Sequence, residues 1–199
     1  MALTLNGSTN TIAGVAVGGL PDGIVDTDML AANAVTAAKA TGGRSLLDVD
    51  LWRLTSNFAG DADPVQNNLE RSDDAPYEKI GSGMSVSSGI WTFPNTGVWR
   101  VESLREGYRD DDDREFRSFI SATEDNGSNW HVMAENATFL KGLSTNTHVQ
   151  VYTYAIVDVA DTTQSKVKFK YQCDQQGTST IGSSTRNRST FTFTRLGDT

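Results

Sequence analysis

The chain has 199 residues, 25 acidic side chains against 17 Lys and Arg, a formal net charge of −8 and one cysteine. That balance disfavours nucleic acid held through a general phosphate field, and a lone thiol excludes an intrachain disulfide or a thiolate zinc site within one chain. With 37% hydrophobic and 9% aromatic residues there is enough to fold around one buried core.

Residues 1–42 are small and smooth, and every Trp, Tyr and Phe follows them. Leu3, Leu5, Ile12, Val15 and Val17 alternate weakly around the turn signal Asn6-Gly7. That predicts a small hairpin or extended arm, too short to be stable alone. Leu20-Pro21-Asp22-Gly23 is a second turn. Residues 26–39 predict one short helix, with Asp26 or Thr27 as N-cap, Lys39 at the negative end of the dipole and Gly42-Gly43 as the stop. Its narrow stripes, Val25, Met29, Ala32 and Thr36 on one side and Leu30, Ala34 and Ala37 on another, hold too little apolar area for stability in water. The helix needs a partner, a symmetry copy or the chain's own β domain to pack on.

No basic region followed by an apolar run marks a secretory signal, and no stretch approaches the ~18 apolar residues of a membrane span. The expectation is a product made in a cytoplasm, without membrane insertion. The Asn-x-Ser/Thr sequences at Asn6, Asn126, Asn136 and Asn187 then read as chance matches.

From residue 50 the hydrophobic period is two. Strands are predicted over 51–58, 98–108, 114–123, 129–139, 148–159, 165–173 and 189–196, separated by Gly, Asn, Asp and Ser clusters. Residues 60–76, with Pro64 and Pro76, read as a long polar loop. This count and spacing fit an antiparallel sandwich or barrel. Trp91, Trp99 and Trp130 fall in strand patterns and are expected in the core, as is Cys173, which continues the alternation of Val167, Phe169 and Tyr171. Lys166, Lys168 and Lys170 take the opposite, wet face.

The 148–159 strand is apolar on both sides. Val149, Val151, Ala155, Val157 and Val159 lie on one face, and Tyr152, Tyr154 and Ile156 on the other. The first face goes to the core; the second needs another subunit or the 60–76 loop as its cover.

No catalytic pattern stands out. His131 and His148 are the only histidines, and neither belongs to a nucleophile motif or a metal-ligand spacing. Glycine-rich phosphate loops are absent. Asp110, Asp111, Asp112 and Asp113 form the one dense acidic cluster. It is a weak cation candidate without the spaced ligands and glycine turn of a calcium loop, and otherwise a solvated hairpin tip flanked by Arg109 and Arg114. The expectation is a non-enzyme without cofactor.

Two stretches resemble known proteins. Residues 18–35, Gly-Gly-Leu-Pro-Asp-Gly-Ile-Val-Asp-Thr-Asp-Met-Leu-Ala-Ala-Asn-Ala-Val, resemble a module of tail-fibre and related virion proteins of aquatic tailed bacteriophages. Gly89-Ile90-Trp91-Thr92-Phe93-Pro94-Asn95-Thr96-Gly97-Val98-Trp99 and the terminal Phe191-Thr192-Phe193-Thr194-Arg195-Leu196 resemble the jelly roll of the tumour-necrosis-factor (TNF) and complement-globular-head superfamily, with Trp99 where an aromatic, usually Tyr, follows the Phe-Pro-x-x-Gly turn.

The resemblance implies an all-β chain: residues 46–199 as an antiparallel jelly-roll sandwich head, preceded by a small extended arm and one short helix within residues 1–45. It implies a homotrimer with Tyr152, Tyr154 and Ile156 at the three-fold interface. Leu20, Ile24, Val25, Met29, Leu30 and Val35 become the virion-anchoring residues. The implied function is structural: a short tail fibre or spike whose head meets a host surface glycan or protein, or alternatively a capsid decoration protein that strengthens the shell.

Overall fold

A computed structural model describes residues 4–6, 11–13 and 48–199 except Glu78 and Ser144. The chain separates into two compact units, Met1–Ser45 and Leu46–Thr199. In the first, β1 (Thr4–Asn6) pairs antiparallel with β2 (Thr11–Ala13), Leu5 opposite Ile12. The helix expected over 26–39 lies outside the described residues.

The second unit is a sandwich of two antiparallel sheets. Its strands are β3 (Val49–Leu54), β4 (Phe58–Ala59), β5 (Leu69–Arg71), β6 (Ser85–Ser87), β7 (Ile90–Thr92), β8 (Gly97–Arg109), β9 (Asp113–Thr123), β10 (His131–Leu140), β11 (Thr147–Val159), β12 (Lys166–Cys173), β13 (Ser179–Thr180) and β14 (Thr190–Gly197). One sheet runs β10-β9-β12-β7-β6; the other runs β4-β13-β8-β14-β3-β5, with β11 on the free side of β8. Neighbours in a sheet are often distant in sequence, and consecutive strands such as β10 and β11 lie in different sheets. That crossing between layers is the jelly-roll arrangement.

Alternation decides what goes inside. Along β12 the inward Val167, Phe169, Tyr171 and Cys173 are buried, and the lysines between them are half-buried. Trp91 sits at the centre, fully enclosed, with Trp52 edge-on at 5.0 Å and Phe193 at 4.9 Å. Each such ring contributes about 1.5–3 kcal/mol through burial. The Pro94-Asn95-Thr96-Gly97 turn feeds β8, and Gly97 is held at φ 129° with the Gly197 carbonyl only 2.4 Å from where a Cβ would stand. Only glycine fits there.

Two sequence expectations need correction. Residues 60–76 are more than a loop: Val65 is buried in the core, its N–H donates to Phe169 O at 2.8 Å, and β5 extends the far edge of the larger sheet through β3. Trp130 is half-buried rather than core, with the Lys168 ammonium 5.1 Å above its ring. It lies just before β10, an edge strand with most residues exposed on both faces, so alternation carries no burial there.

Candidate functional site

The outward face of the larger sheet is built from cross-strand rows. Ile156 faces Arg100, which faces Thr194, then Val49; Tyr154 faces Glu102, Thr192 and Leu51; Tyr152 faces Leu104, Thr190 and Arg53. Because paired residues share a side, these rows form one surface. The alternate residues of β11 turn inward, and Val151, Ala155, Val157 and Val159 are buried.

Tyr152, Tyr154 and Ile156 therefore stand outside, 43, 53 and 47% exposed. The 60–76 segment does not cover them: its ordered parts lie along β12 and on the opposite edge beyond β3. The two tyrosine rings stack at 6.1 Å. Arg100 donates to the Tyr152 hydroxyl at 2.8 Å, and that hydroxyl donates to Glu102. Arg100 also pairs with Glu102 at 3.0 Å and lies 5.3 Å over the Tyr154 ring. Burial first, then donation to Glu102, pushes the Tyr152 phenol up. The Arg100 Nε is buried without a partner among the described residues. The apolar surface has a neighbour in β10, which exposes Val132, Met133 and Phe139 and is tied to β11 by Asn136 Nδ2 donating to Tyr152 O at 2.8 Å. Chemically this surface offers aromatic rings, aliphatic tips and one partly shielded charge pair.

The acidic tip comes apart into separate roles. Asp113 is buried and accepts from the Glu115, Asp174 and Gln175 amides at 3.0, 3.1 and 3.4 Å and from the Thr178 hydroxyl. Asp112 accepts from Lys141 Nζ at 2.8 Å and Gly142 N at 2.6 Å, which hold its carboxyl below the usual range. Asp111 accepts from the Asp112 amide, and Asp110 is exposed. Among the described residues no three His, Cys, Asp or Glu side chains come together as a metal site. The anchoring candidates Leu20, Ile24, Val25, Met29, Leu30 and Val35 lie outside the described residues.

Sequence reading missed two fully enclosed cations. Arg53 is enclosed on the outward face and bonded to Glu70, Asp73, Asp74 and the Ser184 carbonyl. Arg105 is enclosed between the sheets. It donates to Thr180 Oγ1 at 3.0 Å and to the Arg117 and Gln172 carbonyls at 2.7 and 2.8 Å, over the rings of Phe116 and Tyr171. Burial lowers its pKa, as it raises those of Cys173 and of Tyr171, the latter to about 12. Parity was the available signal, since Arg105 follows Trp99, Val101 and Ser103 on the inward side of β8.

No protein-family model matches the sequence, and no curated protein matches it. Similar solved structures include an Eiger TNF from S. frugiperda, 7% identical over 78% of this chain and 96% of that one, with a TM-score of 0.54. Murine APRIL at pH 5.0 is 11% identical over 75% of this chain and 98% of that one, with a TM-score of 0.48. At such identity the likeness to the Eiger structure concerns the fold alone: residues 48–199 form a TNF-like jelly roll.

Proposed function

We propose that this chain is a non-enzymatic structural protein of a tailed-bacteriophage virion, a homotrimer of jelly-roll heads. Residues 1–45 attach it to other virion proteins as a short tail fibre or spike, and the head is free to meet a host surface. The observation that carries the self-association is the uncovered row Tyr152, Tyr154 and Ile156 on a sheet face whose opposite side is already filled by core. Half-exposed aromatics lined up on a regular strand are the composition of an interface centre. The resembled superfamily packs its heads about a three-fold axis through such a sheet, and the resemblance of residues 18–35 to tail-fibre modules supports the virion setting.

A capsid decoration role is the second reading. It is favoured by the short connection, since the first head strand begins at Val49 with no long shaft after the leader. Light scattering on the purified chain is expected to give three times the chain mass; a stable monomer removes the interface. Antibody labelling of particles separates tail from shell. A variant lacking residues 1–42 is expected to keep a folded head and lose particle attachment, and its continued presence on virions would take the anchor role from the leader.

A further inference from the structure

Beyond Tyr152 the same strand pair continues through the Gln150–Glu106 and His148–Tyr108 pairs. There it borders an open cleft of about 420 Å³, within the size range of small-ligand sites. Its walls include Asn57, Tyr108, His148, Ser183, Arg186 and Arg188.

The far wall is a clamped loop. Ile181 N donates to Glu106 O at 2.8 Å, Gly182 N to Asn57 Oδ1 at 3.0 Å and Ser183 N to Leu54 O at 2.7 Å. A cleft whose backbone is fixed at three successive residues is pre-formed, so a ligand need not order it.

Its charge runs against the rest of the chain. Among the described residues two guanidinium groups line it and no carboxylate does, in a protein of net charge −8; the nearest carboxylate, Glu106, is taken up by Arg188 and lies 3.9 Å from His148 Nδ1. Three other surface clefts each carry carboxylates: Asp61 and Asp63, Asp48, or Glu124 and Asp158. Arg188 is braced by Glu106, to which its Nε donates at 2.8 Å and its Nη2 also donates, leaving Nη1 without a partner among the described residues. Arg186 is exposed and makes no ion pair among them. A braced guanidinium beside a free one suits a planar carboxylate.

The remaining walls ask for more than a bare anion. The Tyr108 and His148 rings stack at 5.5 Å and offer a flat aromatic surface. The Asn57 amide, with its oxygen held by Gly182, keeps its NH2 group for a ligand, and the Ser183 and Thr185 hydroxyls stand 3.4 Å apart on the loop. A flat carbon face, several hydroxyl partners and a carboxylate clamp together describe a pyranose acid.

We infer that this cleft binds a carboxylated sugar of the uronic-acid class. The inference deepens the attachment reading, and rests on it for the source of the sugar in a host-surface glycan.

The test is calorimetry on the full-length protein with tri-galacturonate, tri-mannuronate, their neutral methyl esters and inorganic phosphate. At least one acid should bind saturably, with its ester at least about tenfold weaker. Arg186→Gln, at an exposed position, should weaken binding about tenfold with an unchanged melting temperature. His148→Ala should weaken it through the lost ring. Failure of both acids to bind overturns the assignment, as does equal binding of acid and ester or an unaffected Arg186→Gln. Phosphate that displaces the acid at equal concentration reduces the cleft to a general anion site and overturns the sugar. A trimer found on particles but silent toward both acids refutes only the cleft; uronate binding by a protein absent from particles refutes only the virion reading.

Discussion

Arg105 carries a positive charge into the space between the sheets with no carboxylate of the described residues within bonding distance. What makes this tolerable is geometry: a planar fork whose three nitrogens reach Thr180, two carbonyls and the Cys173 sulfur, sandwiched by Phe116 at 3.7 Å and Tyr171 at 4.7 Å. An ammonium at the end of a flexible stem reproduces neither the fork nor the stacking. Arg105→Lys is therefore expected to cost about 2 kcal/mol, the scale of a desolvated cation–π contact, read by urea denaturation; a change below about 0.5 kcal/mol would show that charge alone matters. At this scale legibility was uneven. Trp91, Trp99 and Cys173 were readable because their chemistry and their strand parity agree. Arg105 was not, because its parity points inward while its charge points to water, and only the three-dimensional arrangement of carbonyls and rings resolves that conflict.

The turn between β8 and β9 shows how one element depends on a single member of an apparently uniform run. Four consecutive aspartates look interchangeable in sequence, yet Asp113 alone is buried and gathers the 174–178 turn onto the start of β9. Asp113→Ala takes the side-chain acceptor from the Glu115 and Gln175 amides and the Thr178 hydroxyl, while the Asp174 amide keeps the Glu115 carbonyl, and is expected to destabilise the head by about 3 kcal/mol. Asp110→Ala should stay within about 0.5 kcal/mol. Thermal unfolding of the two variants side by side decides it, and equal effects would restore the picture of a solvated tip. The long strands were legible because period-two alternation is a direct print of one buried face. The short β5 was hidden, since Leu69–Arg71 is three residues long in a polar stretch and pairs only because β3 is already in place. β10 was legible as a strand but misleading about burial, because an edge position exposes both of its faces.

At the scale of the molecule, the outward face of the larger sheet is the surface with the clearest demand for a cover. A specific contact takes about 800 Å² from each partner, more than three side chains supply, so the Tyr152–Tyr154–Ile156 row has to be the centre of a larger patch. Half-buried Val49, Leu51 and Leu104 lie in the same cross-strand rows, and Val132, Met133 and Phe139 stand on the adjoining edge strand. Sequence identified the row but left two covers open, because the path of residues 60–76 is set by long-range pairing with β12 and β3. Tyr154 lies in the middle of the row and points away from the core, so it can be changed without touching the sandwich. Tyr154→Arg puts a second guanidinium beside Arg100 and takes away a stacking partner of Tyr152. Like charges within an interface oppose assembly, and losing an aromatic that acts as a central hot spot costs about 2 kcal/mol or more. Light scattering of this variant is expected to give a single chain mass, with a melting curve that reports a folded head. Ser87→Arg, exposed on the edge of the other sheet, should leave the proposed trimer intact. If Tyr154→Arg keeps the trimer mass while Ser87→Arg breaks it, the contact lies on the opposite sheet and the Tyr152–Tyr154–Ile156 row is free for another partner.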